Sequence, residues 1–331
     1  MKAGAMKNRI SVIFAGAWVI IAVVVLIDLL WARGAGIKIG HGWPLSALPE
    51  IGGIFASAVV LSACAAVDRY RPLTHAMRCK ELAAAIFCLL TFMVWAQAVS
   101  VASYLGISLN VPSIADSLVR FDKAIGFDWL DAYRWVETHR SLRIVLKYAY
   151  WSAFAQLILI PIFLAVARRA DDIAELLTIM FVSSALLLLI SIPFPAESAF
   201  LYYGITDVGT ASTVSDYALL RNGTLIAIDP YEAQGLVSMP SFHTMLAIFF
   251  TYSVRHVRFV FPTLAALNVV MIASTVTVGG HYVADVLAGI LCGVAVIFAV
   301  RLGLRRWFAK LGDGARPSAT SDAGESSAPA Q

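Results

Sequence analysis

The stretch 83-AAAIFCLLTFMVWAQAVSVASY-104 runs for 22 residues without a charge. As a helix it is about 33 Å long, enough to cross the hydrocarbon core of a bilayer. Comparable runs occupy 11–32, 51–67, 145–167, 173–194, 243–254, 259–278 and 282–300. The run at 51–67 is short. The run at 243–254 spans only if Pro240 to Phe242 are added before it. Across the 331 residues, 60% are apolar and only 14% charged, too few charges for an ordinary soluble domain. The chain therefore reads as an all-α, polytopic membrane helical bundle of eight helices, with seven as the fallback.

The net charge is +4, and its distribution says more than its size. With the N-terminus inside, 16 of the 25 Lys and Arg residues fall in inner segments, among them Arg69, Arg78, Arg168, Arg255 and Arg305. This inner excess predicts that both termini are cytoplasmic. A nucleic-acid partner would need a clustered basic stripe on a folded surface, and none is present. The first apolar run is too long for a usual signal peptide and lacks a small-residue cleavage site, so it reads as an uncleaved anchor. Asp28 lies near its outer end, placed to snorkel outward. Cys64, Cys79, Cys88 and Cys292 fall in membrane or inner segments, and their spacing suggests neither a disulfide nor a metal cluster.

Three regions follow. Residues 1–81 form an N-terminal helix pair with its cytoplasmic loop. Residues 82–300 form the membrane core. Residues 301–331 form a cytoplasmic, largely disordered tail, rich in Ser, Ala, Gly and Pro towards its end. Two outer segments stand out. In 114-IADSLVRFDKAIGFDWLDAYRWVETH-139, apolar residues recur at helical spacing, which suits an amphipathic element at the interface. The loop from about 204 to 240 is long for a compact membrane protein, and such loops usually serve function.

That loop ends at 239-MPSFHTMLAIFF-250, which sets His243 at the start of a helix. Proline and serine just before it are helix-start residues, and a helix N-terminus attracts an anion. In 277-TVGGHYVADVLAG-289, His281 and Asp285 are four residues apart and share a helix face. An aspartate inside a membrane helix needs a partner, and the His281 ring is the simplest one. An aspartate on one ring nitrogen fixes the tautomer and frees the other nitrogen. The topology puts both histidines at the outer face. Two imidazoles and an aspartate suit phosphoryl transfer: one ring attacks phosphorus and forms a phosphohistidine, the other protonates the departing oxygen. The equatorial oxygens need donors, and Arg221, Lys147 and Ser241 are the candidates for binding phosphate. A two-histidine, one-carboxylate metal site is the chemical rival, but no third histidine or cysteine falls nearby, so neither metal nor cofactor is expected.

These residues resemble the type 2 phosphatidic acid phosphatase superfamily. The matching motifs are 240-PSFH-243 and 281-HYVAD-285, continued by 288-AG-289. Within it, the chain is similar to the inositol phosphorylceramide synthase-like branch of bacterial proteins, at 122-DKAIGFDW-129, 150-YWSAFAQ-156, 220-LRNG-223 and 235-GLVSMPSFHT-244. The resemblance covers about 110–300. It implies a six-helix core, His281 as nucleophile, Asp285 as its orienter and His243 as general acid. The phosphatase branch has an arginine six residues before the second histidine, where this chain has Thr275; Phe242 replaces a usual glycine. Arg221 is then the candidate clamp.

The expected function is a lipid phosphatase or headgroup phosphotransferase of the cell inner (plasma) membrane, its site facing the periplasm or exterior. Its partners would be the bilayer, a phospholipid or other lipid-phosphate substrate, and an alcohol or polyol acceptor. The alternative is a non-catalytic membrane transporter or lipid-binding protein.

Overall fold

In the computed structural model, which describes residues 2–207 and 215–313, thirteen helices follow one another. They are α1 (Lys2–Ala35), α2 (Leu48–Cys64), α3 (Arg71–Ala76), α4 (Cys79–Ser108), α5 (Ala115–Ala124), α6 (Trp129–Thr138) and α7 (Arg140–Val166). Then come α8 (Ala170–Ser191), α9 (Ala199–Tyr202), α10 (Tyr217–Arg221), α11 (Phe242–Ser253), α12 (Val260–Thr277) and α13 (Val283–Asp313). A two-residue parallel pair joins β1 (Lys38–Ile39) to β2 (Ala227–Ile228).

Among the described residues, seven helical stretches are long and apolar enough to cross a membrane, so the chain is a multi-pass, all-α membrane protein. They lie in α1, α2, α4, α7, α8, α12 and α13. The eighth expected span, α11, has 12 residues, about 18 Å of helix. Its shortness is compatible with its position. It packs against α7, α8, α12 and α13, and Met245, Ala247, Phe249 and Phe250 are fully buried. A helix covered by protein does not have to match the lipid thickness.

Both ends of α11 are tied down. At its C-terminal end, Arg255 meets Glu175 at 2.9 Å and Asp172 at 3.4 Å, both on α8. The Arg255 guanidinium also lies 3.7 Å from the centre of the Tyr252 ring, whose hydroxyl donates to Glu175. At its N-terminal end, the Ser241 N–H donates to the Asp285 carbonyl at 3.0 Å. Midway, Asn268 of α12 links Gln156 of α7 to Thr251 of α11. Such amides act as glue where lipid supplies no hydrophobic drive between helices.

Three expectations change. The outer stretch 114–139 folds as two helices, because the chain turns at Gly126, whose φ of +80° suits glycine. The segment 301–331 is not disordered from its start: α13 continues to Asp313, since its first half-dozen residues prolong an apolar helix with a basic one. Residues 314–331 lie outside the described residues. Asp28 does not snorkel outward. It is 1% exposed, on the buried stripe of α1 with Ile21 and Ala32, and neither carboxylate oxygen has a hydrogen-bond partner among the described residues. Phe14, Ala17 and Ile21 of α1 join one apolar cluster with residues of α4, α7, α8, α11 and α13.

The crossing of α11 and α13 depends on Gly289. A Cβ there would sit 2.7 Å from the Ser241 carbonyl oxygen and 3.0 Å from Thr244 Cβ. Gly289→Ala is therefore expected to cost about 1–3 kcal/mol, the usual range for overpacking. Gly303→Ala, inside α13 where a Cβ meets nothing within 4 Å, is expected to cost nothing and to gain up to about 1 kcal/mol from helix propensity. Unfolding of the detergent-solubilised proteins checks both.

Candidate active site

The segment 278–282 connects α12 to α13, and its backbone is pinned from several sides. The His281 N–H donates to the Thr275 carbonyl at 3.1 Å. The Gly280 carbonyl accepts from the Ala199 N–H at 2.8 Å. The Trp129 indole N–H is shared between the Val276 and His281 carbonyls, at 3.1 Å each. Gly280 has φ +68°, and a Cβ on it would collide with the Phe200 ring at 2.4 Å, so only glycine fits.

Two buried carboxylates meet the first turn of α13. Asp122, on α5, accepts from the Val283 N–H at 3.0 Å and the Ala284 N–H at 3.1 Å. It thus does the job of an N-cap from a distant helix. Burial pushes its carboxyl above the ordinary range, the two amides pull it down, and the charge of Asp285 adds to the rise. Asp285 itself is fully buried. Its Oδ2 accepts from the Ser238 hydroxyl at 2.6 Å and from the Tyr282 N–H at 3.0 Å. The expected contact with His281 is present but longer, Nδ1 to Oδ2 at 3.4 Å. Asp285 Oδ1 has no partner among the described residues. With Nδ1 turned to Asp285, the Nε2 edge of His281 is the one left for other chemistry.

His243 lies in the first turn of α11, half-buried. Its ring stacks on Tyr150 of α7 with centroids 4.2 Å apart and planes 17° apart. The Tyr150 hydroxyl is 3.4 Å from His243 Nδ1. Tyr150 also borders the lead-in to α13: a Cβ at Gly279 would be 2.8 Å from Tyr150 Cε2 and 3.1 Å from His281 Cδ2. Tyr150 is thus the common neighbour of the His243 ring and the segment that carries His281.

The expected phosphate-binding residues are spread out. Lys147 is exposed on α7, three residues before Tyr150 and so on nearly the same face. Arg221 donates to the Val111 carbonyl, and its guanidinium lies 5.9 Å from the Tyr217 ring centre. Among the described residues, those contacts do not include either histidine. Ser241 is fully buried as the N-cap of α11, its hydroxyl accepting from the Thr244 N–H and hydroxyl. Among the described residues, no group of three or more His, Cys, Asp or Glu side chains is placed to hold a metal ion.

Four residues at this site were not singled out by sequence reasoning for the places they take. Ser238 sits only three residues from Ser241, and nothing in the local pattern says which serine meets Asp285. Tyr150 reads as a polar point on a membrane helix. Asp122 and Trp129 lie in the amphipathic outer stretch, about 160 and 150 residues from their partners.

A sequence model of the PAP2 superfamily matches residues 116–299, which include every residue of this cluster. No curated protein and no solved structure matches the chain.

Ser238→Ala removes the shortest hydrogen bond to a fully buried carboxylate. The expected cost is about 1–3 kcal/mol, because the acid stays buried while a donor is lost. Thermal unfolding in detergent reads it, and Ser238→Thr, which keeps a hydroxyl, is expected to lose less.

Proposed function

The chain belongs to the PAP2 superfamily, a superfamily of membrane phosphatases and phosphotransferases, and we propose that it transfers a phosphoryl group from a lipid phosphate or phosphodiester through a phosphohistidine on His281. The observation that carries this reading is that Tyr150 adjoins both the His243 ring and the segment that carries His281, with Asp285 behind His281.

Asp285 holds Nδ1–H of His281, so Nε2 carries the lone pair that attacks phosphorus. The bond from phosphorus to the leaving oxygen breaks as the N–P bond forms. Protonated His243 gives its proton to that oxygen. An incoming water or alcohol then attacks phosphorus, His243 takes its proton back, and the N–P bond breaks to restore His281. Water gives hydrolysis, and an alcohol or polyol gives headgroup transfer. Positioning and charge stabilisation supply most of the rate in such reactions. Lys147 stands on the histidine side of α7, and Arg221 on the loop that leads into α11; these are our candidates for the phosphate oxygens. Ser241 contributes by holding the α11 N-terminus, whose free amides favour an anion.

We assign the chain to the inositol phosphorylceramide synthase-like branch, on 122-DKAIGFDW-129 and 235-GLVSMPSFHT-244. The six-helix core is α4, α7, α8, α11, α12 and α13, within residues 82–300, with α1 and α2 added at its side. The excess of basic residues at the opposite end of the bundle supports a site at the outer leaflet, with both termini cytoplasmic. A second reading, a transporter or lipid-binding protein without catalysis, draws on Asp28. A buried, unpartnered acid in a membrane helix is a common mark of an ion path.

The test uses the purified protein with phosphatidic acid labelled in its phosphate. An acid-labile, base-stable label on His281 is expected. His281→Ala is expected to lose about 10³-fold or more in kcat, and His243→Ala about 10²–10⁴-fold. Full activity of His281→Ala sinks the phosphohistidine route. Lys147→Ala and Arg221→Ala separate the clamp candidates. The residue that binds the phosphate loses about tenfold or more in kcat/KM, and the other stays near wild type.

A further inference from the structure

We propose that Asp122 and Trp129 are positioning residues that set the reactive placement of His281 from outside the membrane-spanning helices. The inference rests on the function proposed above for His281, and it concerns two side chains that touch neither imidazole.

Their contacts are unusual in one respect: both act on the backbone of the same short segment. Asp122 holds the amides of Val283 and Ala284. Trp129 holds the carbonyl of His281 itself. Asp122 is 2% exposed and Trp129 1% exposed, so water does not compete for these bonds. Trp129 is in turn fixed by its neighbours. Its ring stacks with Tyr133 and Tyr203, centroids 5.3 Å apart in each case, and takes the edge of Phe200 at 5.5 Å. Phe200 closes on Gly280, the residue before His281.

The hydrogen bonds divide the work. Asp285 governs the ring of His281 through Nδ1, but at 3.4 Å that contact alone is a loose guide. The Cα position and the start of α13 are governed by Asp122 and Trp129. If they let go, the first turn of α13 frays, and His281 and Asp285 move with it. A displacement of about 1 Å at a reacting group is enough to cost about 10²-fold in rate. The exposed faces of these two outer helices mix the charged Asp116, Arg120, Lys123, Asp131 and Arg134 with Phe121 and Trp135. Such mixed faces suit the headgroup layer.

The experiment compares Asp122→Ala, Asp122→Asn and Trp129→Phe in the full chain. Trp129→Phe keeps an aromatic ring in the stack while removing the indole N–H, with a smaller ring in its place. Asp122→Asn keeps one acceptor oxygen for the two amides. One arm measures phosphate release from phosphatidic acid. The expected result is a fall in kcat of about 10–100-fold for Asp122→Ala and a smaller fall for the other two, with KM within about twofold. The other arm needs no turnover. Amide exchange of a peptide covering 279–286 is expected to speed up at least about tenfold in each variant, with the remaining helices unchanged. Unchanged exchange there and unchanged kcat in folded Trp129→Phe and Asp122→Asn overturn the proposal. So does a kcat loss that only tracks the unfolded fraction. If Asp122→Ala does not fold, the two milder variants carry both arms. If wild type neither releases phosphate nor labels His281, the phosphotransferase reading fails, and the exchange arm still shows whether these two side chains hold the segment.

Discussion

The close crossing of α11 and α13 sets the geometry on which the rest of the site depends. Lipid tails are as apolar as the helices they surround, so helices in a bilayer associate through packing and hydrogen bonds. Here the absence of a side chain at Gly289 lets backbone meet backbone, 2.7 Å from where a Cβ would stand to the Ser241 carbonyl oxygen. At that distance the Ser241 N–H reaches the Asp285 carbonyl, and Ser238 reaches the Asp285 carboxylate. The register of one helix against the other then follows. His243 leaves the start of α11 on the side of α7, and Tyr150 fills the space between it and the approach to His281.

A second constraint is electrostatic. Two carboxylates, Asp122 and Asp285, are buried at the start of α13. A buried charge is costly unless donors compensate it. Four of the donors here are a hydroxyl and three backbone amides: Ser238, Tyr282, Val283 and Ala284. The positive end of a helix favours the same charges. This arrangement stabilises the acids only while the first turn of α13 keeps its shape, so the electrostatics and the backbone geometry support each other. It also gives the cluster the rigidity that the proposed phosphoryl transfer would need, since little covalent chemistry is left for a protein there beyond positioning.

The far end of α11 makes the same point with different groups. Arg255, Glu175, Asp172 and Tyr252 hold the end of a helix too short to reach across lipid by itself. With both ends fastened, α11 fits inside the bundle, and its length is set by its neighbours instead of by the bilayer. The outer segments are tied to the bundle as well, α6 by Trp129 to the His281 carbonyl and the start of α10 by Asp216 to Tyr104 of α4.

The spans themselves were legible in the sequence, within a few residues, because the thickness of a bilayer imposes a length and a composition that no other segment satisfies. The pairing of His281 with Asp285 was legible too, since a separation of four residues is a local relation, although α13 begins only at Val283 and His281 stands just before the helix. The limits of α11 were harder to read, because its burial frees it from that length rule. Ser238 against Ser241 was not readable: both are serines within two residues of Pro240, and only the approach of α13 turns the first to the carboxylate and leaves the second as a cap. Asp122 and Trp129 were visible only as parts of an amphipathic stretch, and Asp28 as an acid near a helix end. Which atoms they meet depends on packing between elements far apart in the chain. Local periodicity and solvent demand are written residue by residue, whereas a partner more than a hundred residues away is chosen by the shape of the whole bundle.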